Sequence, residues 1–143
     1  MALPPGPYAI KSVKLEKYLL YTPPDGSLLF SGESGTDPNT TFKVEADKDH
    51  SDLVNIKSSN GKYWRRVDET NNYINSTADV PYRNQSSWQC TLFQITKDTD
   101  GHKYRIRHVQ LGGYVAPNPE NKNRAYVSTS NDTGNQEVFF EGS

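Results

Sequence analysis

One strand-turn-strand phrase occurs three times in this chain, as "AIKSVKLEKYLLY" from Ala9, "NIKSSNGKYWRR" from Asn55 and "RIRHVQLGGYVAP" from Arg105. Its isoleucines, Ile10, Ile56 and Ile106, lie 46 and 50 residues apart, and the tyrosines Tyr18, Tyr63 and Tyr114 follow them by 8, 7 and 8 residues. Each tyrosine is followed by an apolar residue, Leu19, Trp64 or Val115. A third apolar segment then recurs as "LLFSGES", "YINSTAD" and "AYVSTSN", and a fourth carries Phe42, Phe93 and Phe139. Four short strands therefore repeat three times, and a period in the range of about 20–50 residues is the mark of a repeat architecture.

The strands alternate apolar and polar residues, as in Thr41-Phe42-Lys43-Val44 and Leu92-Phe93-Gln94-Ile95, while "PPDG", "SNG", "DTDG" and "LGG" supply turns. No segment has sustained helical periodicity. Each unit is too polar to bury its apolar face alone, so the three must pack on one another. An open solenoid would need end units with polar outer faces, yet the first and last repeats carry the full apolar pattern. The expectation is an all-β chain, a β-trefoil of three four-stranded repeats in which closure removes sheet edges. Its lobes would span approximately 7–52, 53–100 and 101–143 of a single domain covering 1–143. Its core would hold Ile10, Leu19 and Phe42, then Ile56, Trp64 and Phe93, then Ile106, Val115 and Phe139.

Charge narrows the function. Sixteen basic and seventeen acidic residues leave a net charge of −1, which argues against nucleic acid, because tracking phosphates needs a clustered positive excess. Lys103, Arg105 and Arg107 alternate on one strand and would form a basic stripe for an anionic ligand or, more plainly, a solvated face. One cysteine, Cys90, allows no intrachain disulfide, and "MALPPGPYAI" has neither a basic leader nor a long apolar run. These point to a cytoplasmic or nucleocytoplasmic protein with no membrane insertion by this domain. Asn39, Asn75, Asn84 and Asn131 match the N-glycosylation pattern, which without an export signal is expected by chance in a chain rich in Asn and Ser.

No catalytic pattern is visible. His50, His102 and His108 share no metal-ligand spacing with one another or with Cys90, and the nucleophile, zinc-protease and phosphate-loop motifs are missing. The expectation is no enzyme activity, no metal and no cofactor. Cys90 and Trp88, in "SSWQCTLF", are expected in the core. Tyr73, Tyr82 and Tyr126 are the aromatics set among polar loop residues. Two readings stay open for them: they pin loops to the barrel, or they offer flat faces to sugar rings whose hydroxyls meet nearby Asn side chains.

The phrases "LVNIKSSNGKYW", "SSWQCTLF" and "IRHVQLGGY", with "GSLLFSGESGTDPNTTFKVEADK", closely resemble the agglutinin domain of the amaranthin-type lectins from about Tyr8 to Phe139. The resemblance implies a β-trefoil lectin for N-acetylgalactosamine and galactosyl-β1,3-N-acetylgalactosamine, the T-antigen disaccharide, with a role in plant defence or stress. Carried over by position, the family's sugar loop of Asn, His, Tyr and Trp falls on Thr70, Asn71, Asn72 and Tyr73, so an aromatic holds the stacking place with amides beside it. Asn75 would add a hydrogen bond, and Tyr82, Arg83 and Tyr126 would form a second wall. Because the family's site lies where two domains meet, the resemblance also implies a homo-oligomer, a homodimer in the simplest case. Two other readings are a protein-interaction or protease-inhibitor trefoil, whose reactive loop is usually braced by disulfides, and the targeting domain of an aerolysin-like pore-forming protein, whose other module would lie outside this sequence.

Overall fold

A computed structural model describes residues 6–98 and 102–142. The expected boundary between the second and third lobes, at 100 and 101, and most of the "DTDG" turn lie outside the described residues. Twelve strands form three sets of four. The first set is β1 (Gly6–Ser12), β2 (Tyr18–Thr22), β3 (Ser27–Gly32) and β4 (Thr41–Ala46); the second is β5 (Val54–Lys57), β6 (Tyr63–Arg66), β7 (Ile74–Ala78) and β8 (Phe93–Lys97). The third is β9 (Tyr104–His108), β10 (Tyr114–Asn118), β11 (Arg124–Ser128) and β12 (Val138–Gly142), with a short α-helix, α1 (Thr133–Gln136), before the last strand.

The first and fourth strands of each set close a six-stranded barrel, because β1 pairs with β4, β4 with β5, β5 with β8, β8 with β9, β9 with β12 and β12 with β1. The hairpins β2–β3, β6–β7 and β10–β11 cap one end. They are joined by one contact repeated three times: Ser27 opposite Asn75, Tyr73 opposite Tyr126, and Arg124 opposite Leu29. Three backbone bonds repeat with them, from Phe30 N–H to the Asn123 carbonyl (2.9 Å), Ser76 N–H to Gly26 (2.8 Å) and Val127 N–H to Asn72 (2.8 Å). This is the β-trefoil expected from the repeat.

The repeated positions fill one core. Ile10, Ile56, Ile106, Leu19, Trp64, Phe42 and Phe93 are fully buried, and Val115 nearly so. Trp64 stands edge-on between Phe42 and Phe93, at ring-centre distances of 5.4 and 5.8 Å, and donates its indole N–H to Ser58 Oγ at 3.1 Å. Lobe volumes compensate across the hairpins: Leu19 opposes Phe30, Trp64 opposes Ser76 and Val115 opposes Val127, so the largest ring faces the smallest partner.

Phe139 departs from the expectation. The residue equivalent to Phe42 and Phe93 is Val138, which is 2 % exposed and pairs with Tyr104 as Phe93 pairs with Val54. Phe139 is one residue on and therefore faces the other side of the strand, since alternate side chains point to opposite faces. Phe140 returns inward and packs edge-on against Tyr8 and Tyr104. Trp88 also departs. It is partly buried outside the main core, with the Arg65 guanidinium 5.4 Å from its ring centre. Cys90 is fully buried with Leu53 and Leu92, and burial pushes its thiol above the ordinary range, so it is a packing residue.

Candidate functional site

The loop from Val67 to Tyr73 leaves β6 and returns to β7, closed by a 3.0 Å bond from Val67 N–H to the Tyr73 carbonyl. Its shape comes from one carboxylate. Asp68 Oδ1 accepts from Thr70 N–H at 2.8 Å, Thr70 Oγ1 at 2.7 Å, Asn71 N–H at 3.2 Å and Asn71 Nδ2 at 3.3 Å. These bonds, those from Thr70 first, hold its carboxyl below the usual carboxylate range. From beneath, the buried Arg66 guanidinium donates to the Asn71 and Glu69 carbonyls and to Gln110 Oε1 at 3.1 Å, tying the loop to the third lobe.

Asn71 faces inward in function: its Oδ1 accepts from Tyr73 N–H at 3.0 Å, and both ends of its amide are engaged within the loop. Asn72 is exposed, its Nδ2 reaching the Val127 carbonyl at 3.4 Å. Tyr73 is half-buried rather than free-standing. Arg124 sits over its ring at 4.4 Å, its hydroxyl accepts from Asn118 Nδ2 at 2.9 Å, and the Tyr126 ring lies 6.3 Å away at 47°. The structure thus brings Thr70, Asn72, Tyr73 and Tyr126 to one junction between the second and third lobes. Removing Tyr73 would disturb that junction as well as any ligand contact, so it is a poorer probe of binding than the sequence suggests.

Asn75 does not face the junction surface. It sits in the hairpin cap, 6 % exposed, donating to the Asp25 carbonyl at 3.3 Å and accepting from Arg124 Nη2 at 2.9 Å. Its amide satisfies the cap, which also removes it as a glycosylation acceptor. Tyr82 and Arg83 keep other company than Tyr126. Arg83 Nε is 2.8 Å from Oδ1 of the buried Asp47, which also takes Asn55 Nδ2 at 2.8 Å and His50 Nδ1 at 3.1 Å. Burial opposes ionisation of Asp47, but the bonds from Asn55, His50, the Asp49 N–H and Arg83 outweigh it and hold its pKa down at about 2. Tyr82, 43 % exposed, borders a separate cavity of about 300 Å³ with Arg65, Asp79, Val80 and Gln89.

Four residues of the junction were missed by sequence reasoning: Arg66, Asp68, Asn118 and Arg124. A signal existed for one of them. Arg124 precedes Tyr126 by two residues in "NRAYVS", so strand alternation puts both on one face. Among the described residues, no group of three or more His, Cys, Asp and Glu side chains could hold a metal ion, and no helix is long and apolar enough to cross a membrane.

Comparison with known proteins places this geometry. The family model of the agglutinin domain matches residues 3–139. No curated protein matches the sequence. Solved structures similar to the chain include the Rhizoctonia solani agglutinin, 17 % identical with a TM-score of 0.75, the match covering 100 % of this chain and 99 % of that one. A ricin B-like lectin of Macrolepiota procera, solved with lactose, is 11 % identical with a TM-score of 0.74 over 100 % of both chains. The designed threefold-symmetric protein ThreeFoil is 13 % identical with a TM-score of 0.75, covering 96 % of this chain and 99 % of its own. At these identities the likeness is one of fold.

Proposed function

The chain belongs to the agglutinin domain family and is a carbohydrate-binding lectin of that type, and from that premise we propose that it binds N-acetylgalactosamine and the galactosyl-β1,3-N-acetylgalactosamine disaccharide at the junction of its second and third lobes. The observation that carries this reading is the Tyr73–Tyr126 pair, two aromatic rings from different lobes held side by side with the exposed Asn72, whose amide reaches the Val127 carbonyl next to Tyr126. A galactose-type ring presents one apolar face, which lies on a tyrosine while amide and hydroxyl groups meet the ring's own hydroxyls. The lactose bound to the Macrolepiota lectin is a galactose-ended ligand on the same fold. Family and fold point to binding without catalysis.

A single shallow site binds weakly, and linked sites raise avidity by about 10²–10⁴ without a new contact. The working assembly is therefore a homodimer with the loop from Thr70 to Ser76 at or near the contact, a twofold pair being the commonest closed arrangement. The single cysteine supports a cytoplasmic or nucleocytoplasmic place, and a glycan-directed role in defence or stress follows from the family. The test is Tyr126→Ala, measured by calorimetric titration with N-acetylgalactosamine and by melting. Binding should weaken by about tenfold or more, the equivalent of about 1.4 kcal/mol, with the melting temperature nearly unchanged. Full retention of binding would remove the junction as the site, and a monomer in light scattering that still binds the sugar would remove the dimer.

A further inference from the structure

The rim of the barrel differs in the third lobe. Strand register makes Gly32, Ala78 and Ser128 equivalent, because they pair with Tyr18, Tyr63 and Tyr114. One residue beyond them stand Glu33, Asp79 and Thr129, and one residue before the tyrosines stand Lys17, Lys62 and Gly113. In the first two lobes these positions form the ion pairs Lys17–Glu33 and Lys62–Asp79 across the hairpin. The third lobe has neither partner. It also lacks the one-residue bulge that both other hairpins carry, and a Cβ on Gly113 would lie 2.5 Å from the Ser128 carbonyl oxygen, so no lysine fits there. Beside these positions is a cavity of about 360 Å³, bordered by Arg105, Tyr114, Thr129, Ser130 and Asn131. That is within the range of ligand pockets, about 300–1,000 Å³.

Arg105 is the second departure. The equivalent residues are Ala9 and Asn55, both buried, the latter bonded to Asp47 and Thr91. Arg105 instead lies 4.2 Å from the Tyr114 ring centre and borders the cavity. Among the described residues its Nε has no hydrogen-bond partner; it forms a long ion pair with Asp98 Oδ1, at 3.9 Å, which leaves its N–H groups without a hydrogen-bonded carboxylate. A guanidinium over an aromatic ring keeps its in-plane N–H groups for a carboxylate, which it matches in shape as well as charge. Arg107 adds charge at the same rim, its Nη2 lying 3.9 Å from where a Cβ on Gly112 would stand. The other polar side chains at its border carry hydroxyls and amides, the partners of a sugar, and Leu111 and the Tyr114 ring supply an apolar side.

We propose that this cavity is a second glycan subsite, selective for an acidic sugar residue whose carboxylate meets Arg105 and whose hydroxyls meet Ser130, Thr129 and Asn131. The ligand class rests on the carbohydrate-binding reading, while the place uses none of the junction residues. Ser128 and Tyr126 face the same side of β11 two residues apart, about 7 Å along the strand, so a glycan with an acidic sugar beside a neutral one reaches both sites.

The experiment titrates the isotope-labelled full chain with D-galacturonate and D-galactose, which differ only in a carboxylate or a hydroxymethyl at C6, and with N-acetylneuraminate to separate a uronic from a sialic acid. Backbone amide shifts are the readout. One of the acids should move Gly113, Thr129 and Ser130 and bind about tenfold or more tighter than galactose there, with affinity falling as salt is raised past about 0.1 M. Arg105→Gln should abolish the preference. Thr129→Glu should do so without touching the fold, because it restores the acid that the other two lobes carry at this rim. Equal affinity for acid and neutral sugar at these amides, shifts confined to other surfaces, or wild-type binding by Thr129→Glu would overturn the proposal. If N-acetylgalactosamine fails to move Asn72 and Tyr73 while an acid still moves Thr129, the junction reading falls and this one stands; the reverse pattern removes this one alone.

Discussion

At the barrel wall Ile10, Ile56 and Ile106 occupy equivalent, fully buried positions opposite Phe140, Val44 and Ile95, whereas at the rim two lobes carry a lysine–carboxylate pair and, among the described residues, the third has none at those positions. Both places hold equivalent positions of the three lobes. Closure is what separates them. Six barrel strands share one interior, so a change in any lobe is felt by the other two, while each rim loop faces water and answers only to its own hairpin. Where the interior does depart from symmetry it compensates locally, as Trp64 opposite Ser76 shows. At the rim, the third lobe's departure is left uncompensated.

His108 is the sharpest interior departure. Ser12, Ser58 and His108 are equivalent positions at the turn after the first strand's isoleucine, and each accepts the turn's backbone closure, with Ser12 Oγ and His108 Nδ1 receiving the Leu15 and Leu111 N–H groups at 3.1 Å. An imidazole therefore occupies a serine's place, fully buried and edge-on to Phe93 at 5.3 Å. With Nδ1 accepting, the proton sits on Nε2, which has no hydrogen-bond partner among the described residues. Burial first, then the charges of Arg66 and Arg107, push its pKa down to about 4.

The largest expected effect breaks the wall. Phe93→Ala should lower stability by about 3–5 kcal/mol in denaturant unfolding, since it removes a ring that touches Trp64 and His108 and leaves a cavity. An unchanged midpoint would mean that the three lobes do not share one core. Next in size is the acid dependence of the histidine. Its pKa is depressed in the folded state, so its contribution is complete above the unfolded value near 6.5 and is lost as pH falls towards about 4. The loss amounts to about 3 kcal/mol. His108→Ser, which restores the residue of the other two lobes, should flatten that window in urea midpoints measured against pH. A separate loss as pH falls from about 3.8 to about 2, where Asp47 is protonated in the unfolded chain before it is in the folded one, should survive the substitution. The smallest effect sharpens the comparison on a single strand. Val138→Ala should cost about 2 kcal/mol and its neighbour Phe139→Ala less than about 1, although the latter deletes the larger side chain. A reversed order would put Phe139 back in the core.

The fold was legible because it is written in local terms. Alternation marked the strands, turn residues marked their ends, and the spacing of Ile10, Ile56 and Ile106 implied three units with too little apolar surface to stand apart. The junction was legible in part. Tyr73 and Tyr126 stood out as aromatics among polar residues, but their partners Arg124, Asn118 and Arg66 are distant in sequence from groups they touch, 45 residues in the bond between Asn118 and Tyr73 and 49 in that between Arg124 and Asn75. Tyr82 and Arg83 resembled a second wall only because their neighbours are polar too, and the pairing of Arg83 with buried Asp47 is a long-range fact.

By itself, then, the sequence determined that this chain is a threefold all-β structure, that its one cysteine leaves no intrachain disulfide to hold it, and which aromatics lie among polar residues. Only the tertiary structure decided that Val138 and not Phe139 faces the core, that Asn75 belongs to the cap, and that the third lobe's rim is open. Each of these turns on a one-residue difference in strand register or on the clearance between one backbone and another. Such quantities belong to pairs of strands brought together by folding, and neither strand's own residues contain them.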